Sequence, residues 1–283
     1  MNKIKIITDC TSDLTPELYH KYDMEVLPLY VTIGGKTYAD VFEINAEELY
    51  RKVKEYGELP KTSTISQITL YASFKKYLEQ GYDIFFMGIG SNFSGVYQNA
   101  TLVAKEFPEE RIRVVDSGNL SSGTGLLLLK AAQFRDQGDD LDTLARKVEN
   151  LVPLVRTQFA INTLEYLHKG GRCSGTSRII GTLLKLKPII RVLDGKMGVT
   201  KKPRGKFKIA LDTLLEYFRH DSSNLDLENV MVTHSLNPED AAYLKEEILK
   251  IAPVKNVIET YASGVISTHC GPKTIGILYI VKD

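Results

Sequence analysis

Apolar and polar positions along the chain follow two alternating periods. Short apolar blocks bounded by polar turns, "KIKIITD" (3–9), "YDIFFMGIG" (82–90) and "RIRVVDS" (111–117), predict buried strands. Each is followed by a hydroxyl-rich corner and then by apolar residues at helical spacing. "CTSDLTPELYHKY" (10–22) offers Ser12 or Thr15 as a helix cap with Pro16 in the first turn. "NAEELYRKVKEYG" (45–57) and "SQITLYASFKKYLEQG" (66–81) predict helices that end at glycine. Between them, "EVLPLYVTIGGKTYAD" (25–40) predicts a ribbon or hairpin turning at Gly34-Gly35. Strand, corner and helix in repeated order predict a mostly parallel sheet covered by helices.

A polar helix, "DDLDTLARKVENLV" (139–152), closes that series, and Leu151–Pro153 is the expected boundary between residues 1–152 and 153–283. The pattern then restarts. "RTQFAIN" (156–162) predicts a strand, and "TLEYLHKGGRCSGTSRIIGTLLKLK" (163–187) two helices around a glycine-rich joint. "PIIRVLDGKMGVTKK" (188–202) predicts a hairpin with Asp194-Gly195 at its turn. After the helix "FKIALDTLLEYFRH" (207–220) come the strands "NVMVTHS" (229–235), "KNVIETYA" (255–262) and "IGILYIVK" (275–282), with the helix "PEDAAYLKEEILKIA" (238–252) between the first two. The fold class is therefore α/β: a mostly parallel N-terminal sheet covered by helices, with a second α/β domain. No internal repeat or low-complexity segment interrupts it.

Composition narrows the function more than the fold. The 283 residues are 43% hydrophobic and 25% charged, enough to bury two cores. The longest apolar runs, such as "GTGLLLLKAA" (123–132), fall short of the ~20 residues a membrane span requires, and "MNKIKIITDC" carries no signal-peptide core, so a cytoplasmic protein is expected. Cys10, Cys173 and Cys270 are scattered and form no C-x-x-C, which points to neither a disulfide framework nor a zinc site. Residues 1–152 hold 17 Lys+Arg against 22 Asp+Glu; residues 153–283 hold 19 against 13. Much of the excess lies in 185–208, where nine basic residues meet one acid, Asp194. A solvated hairpin and helix face accounts for that strip, as does an anionic docking surface. It has one aromatic residue, Phe207, so nucleic-acid binding is not expected.

Candidate chemistry collects at the carboxyl ends of the first strands, where an open α/β sheet places its ligands. Thr8, Asp9, Thr11 and Ser12 follow the first strand; Ser91, Asn92 and Ser94 follow "FFMGIG"; Asp116 and Ser117 follow "RIRVV"; Thr62, Ser63 and Thr64 precede a helix. Hydroxyls beside helix N-termini suit an anionic group, and each equally suits capping its own helix. Several chemistries fail. Gly90-Ser-Asn-Phe-Ser-Gly95 has phosphate-loop glycine spacing, but Val96-Tyr97 stand where Lys-Ser/Thr must follow. A nucleophile elbow on Ser94 needs glycine where Asn92 stands. Asp9 and Asp13 lack a third metal partner, so no metal or cofactor is expected. His269 is read as lying in a turn, where it donates to a ligand or ties down its own loop. His234 ends a strand facing the same crevice, while His20, His168 and His220 are read as surface.

As a set, "IITDCTSDL", "KTSTIS", "SNFSGVYQNA", "VVDSGNLSSGTGLLL", "LEYLHKGGRCSGTSRIIGTLLKLKPIIRVLDGKM" and "THCGPKTIGI" resemble the DegV family of bacterial fatty-acid-binding proteins, in the same order from about residue 4 to the end. The resemblance implies a buried acyl tunnel between layers of the fold. In FakB-like members it also implies a carrier, not an enzyme, that presents the fatty-acid carboxylate to a separate kinase, with transient membrane-surface contact. Thr62 and Ser94 match positions that hold the carboxylate, and His269 matches a histidine near it. Ser63, Asn92 and Arg172 match supporting positions, and Arg204 a basic residue tied to the kinase step. Cys10 stands where the family has serine, and Lys273 where it has glycine. The reading from another class is a serine esterase or acyltransferase using Ser94 and His269.

Overall fold

The computed structural model describes residues 2–173 and 186–282. Ile4–Asp9 (β1), Met24–Leu27 (β2), Asp83–Phe86 (β6) and Ile112–Val114 (β7) form one sheet in the order β2-β1-β6-β7, every pair parallel. Pro16–Lys21 (α1) lies between β1 and β2 in the chain, and the two faces of the sheet follow the strand period. Ile7, Ile84 and Phe86 pack under Gln67–Glu79 (α3) and Val96–Ala104 (α4), whereas Ile6, Phe85 and Met87 pack under Ser122–Asp136 (α5) and Leu141–Leu151 (α6). Because both faces are covered, β1 is buried at every residue, which is why it reads as a nearly unbroken apolar run.

The predicted ribbon at 25–40 divides instead of continuing. Its first part is β2, within the parallel sheet. Beyond Pro28, which has no N–H to extend a ladder, Tyr30–Ile33 (β3) and Lys36–Ala39 (β4) form a hairpin with Lys61–Ser63 (β5) added, in the order β4-β3-β5. Gly34 and Gly35 both take positive φ at its two-residue turn. β5 was not foreseen as a strand: three hydrophilic residues carry no periodic signal, and its order comes from pairing, with Val31 opposite Thr62. Ala46–Tyr56 (α2), capped by Asn45, joins this small sheet to the rest.

Val155–Ala160 (β8), Ile189–Leu193 (β9), Lys196–Lys201 (β10), Leu225–Ser235 (β11), Asn256–Tyr261 (β12) and Thr274–Val281 (β13) form a second large sheet. Its order is β10-β9-β8-β13-β11-β12, antiparallel among the described strands except for β11–β12. The β9–β10 turn is Asp194-Gly195, both at positive φ, as the sequence predicts. Lys208–His220 (α8) and Pro238–Ile251 (α9) cover the outer face. The inner face meets α5, which is enclosed between the two large sheets and buried at each residue from Ser122 to Leu129. A helix apolar on all sides is the expected result. Two cores thus draw on residues from both sides of position 152.

Two short helices, Glu165–Gly170 (α7) and Gly264–Cys270 (α10), complete the interior. His269 lies in the last turn of α10 and not in a loop; Ser263 caps the helix and Gly271 follows it. The second helix expected around the glycine-rich joint, with most of "CSGTSRIIGTLLKLK", falls outside the described residues. No described helix is long and apolar enough to cross a membrane.

Candidate functional site

The site begins with glycines that bring strand ends close together. At the end of β6, a Cβ on Gly88 would lie 2.2 Å from Asp9 Oδ2, and one on Gly90 2.7 Å from the Asn119 backbone nitrogen. Asp9 accepts hydrogen bonds from Ile89 N at 2.8 Å and from Thr11 N and Oγ1, so it pins the chain leaving β6 to the turn leaving β1. Asp116 Oδ1 accepts from Ser91 N and Gly118 N, both at 3.0 Å, fixing the next corner. The 90–95 loop then delivers Phe93, Ser94 and Gly95 to the start of α4.

These residues enclose a cavity of ≈ 360 Å³ between β5, the 90–95 loop, α7 and α10. Its body is apolar, formed by Leu29, Ile89, Phe93, Leu120, Phe159 and Ile266 among others. Thr62, Ser63, Thr64, Ser94, Arg172 and His269 supply its polar end. A second cavity of ≈ 40 Å³ lies behind a wall of Leu120, Phe159, Ile266 and Cys270, which line both.

The polar groups divide into paired and unpaired. Thr62 Oγ1 lies 3.0 Å from His269 Nε2. The Thr64 hydroxyl is buried and has no hydrogen-bond partner among the described residues; the same holds for His269 Nδ1. Ser94 does not cap α4 as the sequence suggested: Gly95 is the cap residue and no side chain bonds to the first turn. Its hydroxyl is therefore not spent on a helix N–H. Burial, reinforced by the Arg172 charge, lowers the His269 pKa to about 4, so the imidazole is neutral at pH 7. Arg172 sits at the exposed edge, donating to Gly170 O at 2.6 Å and reaching Phe93 O at 3.5 Å, so it ties the end of α7 to the 90–95 loop.

Five of the seven sequence candidates, Thr62, Ser63, Ser94, Arg172 and His269, meet at this cavity. Asn92 does not; it lines a separate cleft of ≈ 580 Å³ beside Asp194 and Gly195. Arg204 is exposed, bridges to Leu186 and is not among the cavity residues. His234 is buried against Glu259 and the Asn237 N–H, and it lines the small second cavity. Thr64, which the sequence showed only as one hydroxyl among three, has the orphaned oxygen. Alternation along an extended chain puts it on the side of Thr62. The esterase arrangement finds no support in the geometry: His269 Nε2 is engaged by Thr62 and Nδ1 abuts Gly170, so neither nitrogen is free to take the Ser94 proton.

The wall carrying His269 is held by carboxylates from the first half of the chain. Asp40 accepts from Gly264 N at 2.7 Å, Val265 N at 2.8 Å and Val41 N at 2.9 Å, and Asp13 accepts from Ser263 N at 3.0 Å. Neither has a Lys, Arg or His partner among the described residues. Burial raises the pKa of both, that of Asp13 to about 8.

The profile described as "Uncharacterised protein, DegV family" matches residues 3–282. A "DegV domain-containing protein" of Clostridium acetobutylicum is 34% identical over 282 residues, covering 100% of both chains. Among solved structures, a fatty-acid-binding DegV family protein from Thermus thermophilus is 32% identical with a TM-score of 0.93, over 99% of this chain and 100% of that one. A stearic-acid-binding protein from Eubacterium ventriosum is 27% identical with a TM-score of 0.86, over 100% of this chain and 99% of that one.

Proposed function

The chain belongs to the DegV family, and from that premise we propose that its cavity binds a long-chain fatty acid, with the carboxylate at Thr62, Ser94 and His269. One observation carries the reading: the apolar cavity ends in polar groups the described residues do not use up, a buried Thr64 Oγ1 with no hydrogen-bond partner among them and a Ser94 that makes no capping bond to α4. A buried hydroxyl without a partner costs ~1–3 kcal/mol, and a ligand that accepts hydrogen bonds there recovers it. The acyl chain supplies the bulk of the affinity, at ~0.8 kcal/mol per buried CH₂. The head has only to be held without a large desolvation cost, for which hydroxyls and the first N–H groups of α4 suffice.

The same geometry favours a carrier that hands its ligand to a separate kinase over an enzyme complete in itself. An arginine fork engages both carboxylate oxygens, whereas neutral donors leave a lone pair available. In the proposed reaction that oxygen attacks the γ-phosphorus of a nucleotide held by the partner. The bond to the bridging oxygen breaks and an acyl-phosphate forms. Arg204, exposed and away from the cavity, is proposed to serve the partner and not the ligand.

The test is direct. Protein purified, denatured and extracted should release a fatty acid visible by mass spectrometry. Thr62→Ala and Ser94→Ala should each weaken palmitate binding roughly ten-fold, while Arg204→Ala should bind normally and slow phosphorylation by the kinase. Failure to bind palmitate would sink the reading, and equal binding losses in all three variants would sink the division of roles.

A further inference from the structure

His269 has one nitrogen engaged and one idle, and what surrounds the idle one decides where the ring keeps its proton. Nε2 lies 3.0 Å from Thr62 Oγ1. Nδ1 is buried without a hydrogen-bond partner among the described residues, packed on the last residue of α7: a Cβ on Gly170 would stand 2.3 Å from it. A ring N–H aimed at Gly170 would be an orphaned buried donor, which is rare and costly. A bare lone pair there meets only a Cα–H, a tolerable and weakly favourable contact.

We infer that Gly170 is a positioning residue for the headgroup site: by seating the Nδ1 edge of His269 against its own Cα, it puts the imidazole proton on Nε2, aimed at Thr62. Thr62 Oγ1 accepts that proton in a hydrogen bond and directs its own hydrogen elsewhere, into the cavity. The threonine becomes a one-way donor, suited to a carboxylate and not to a head that must itself donate. With the opposite tautomer Thr62 would donate to Nε2, and its hydrogen would be lost to the ligand. The lowered basicity of His269 agrees with this, since the ring stays neutral and keeps a single proton to place.

Gly170 has ordinary helical backbone, the left-handed position after α7 being Gly171. Backbone conformation therefore does not require glycine at 170, and alanine there should favour the helix. Arg172 Nη1, donating to Gly170 O, holds that end of α7 in place. Among the described residues, the three atoms nearest to a Cβ at residue 170 all belong to the imidazole.

The inference rests on the fatty-acid reading, and its test separates the two. Long-range ¹H–¹⁵N spectra of protein labelled at histidine should show His269, identified by its loss in His269→Gln, protonated at Nε2 at pH 7. In Gly170→Ala the pattern should change, and palmitate affinity should fall roughly ten-fold in protein that still unfolds in one cooperative transition. In the His269→Ala background, Gly170→Ala should have no further effect. A proton on Nδ1 in the wild type, or the same loss with and without His269, would overturn the inference. Wild-type protein that fails to bind palmitate would overturn the fatty-acid reading, while the spectrum would still decide the tautomer.

Discussion

Asp13→Asn isolates the most strongly shifted carboxyl and should make the protein less sensitive to alkaline pH. Asp13 is 4% exposed, interacts with Cys10, Asp40, Tyr19 and Cys270, and has no cationic partner among the described residues. Burial is the main reason its pKa rises to about 8, opposed by the hydrogen bonds from Ser121 and Ser263. The sign follows from proton counting. Between the unfolded value near 3.8 and the folded value near 8, the native state holds a proton that the unfolded chain has released. Stability therefore falls as pH rises through that window, by at most ~1.4 kcal/mol per pH unit for this one group. Asparagine is nearly isosteric, tolerates the positive φ of residue 13, and keeps an oxygen for the Ser263 N–H. Urea unfolding from pH 4 to 9 should show the variant gaining on the wild type as pH rises, with the curves closest at the acid end and the difference levelling off above the folded value near 8. Asp40 is present in both proteins, so the difference curve reports Asp13 and its coupling to Asp40. A flat difference curve, or a variant that loses ground as pH rises, would refute the reasoning and show Asp13 to be an ionised anchor.

Gly264→Ala should loosen the wall that carries His269, because the added Cβ would meet Asp40 Oδ1 at 2.5 Å and push aside the carboxyl group, whose two oxygens accept from Gly264 N and Val265 N of α10. A loss of about 1–3 kcal/mol in urea titration and faster palmitate release are expected, and wild-type values for both would contradict the assignment. Leu127→Ala, a fully buried position of α5, should cost about 2–5 kcal/mol, since neither large sheet can collapse around the missing atoms. A loss under 1 kcal/mol would mean that the helix is not held between the sheets.

How much of this was legible in the sequence depended on how locally each feature is determined. Of the parallel sheet, β1, β6 and β7 were readable as short apolar blocks, whereas β2, half-buried, was merged into the ribbon; the Gly34-Gly35 and Asp194-Gly195 turns were readable because positive φ restricts residue choice. β5 was not, because a three-residue strand owes its order to β3 alone. The antiparallel character of the second sheet was hidden for a related reason: strand direction lives in connections, not in any strand's own pattern. His269 was placed in a turn because Gly271-Pro272 is a strong breaker signal. The helix before it is short and stabilised from outside, by Asp13 and Asp40, far away in sequence. The candidate residues themselves became visible only as a set of motifs, since hydroxyl residues serve helix caps and ligands alike.

The arrangement also explains why charge is kept from the proposed headgroup while acids are buried nearby. The carboxyl groups of Asp9, Asp13 and Asp40 stabilise the walls by accepting from backbone N–H groups, so α10 and the 90–95 loop are held there without a lysine or arginine. A buried arginine fork there would bind the carboxylate of the proposed ligand through both oxygens and hold it against the proposed transfer. Arg172 instead lies at the exposed edge, committed to the Gly170 and Phe93 carbonyls, where its field disfavours protonation of His269 and favours an anion in the cavity. In the proposed carrier, retention of the acyl chain and the hold on its head would be set by different residues. Substitutions in the apolar wall should change which chains bind, and substitutions at Thr62, Ser94 or Gly170 should change how the carboxylate is offered.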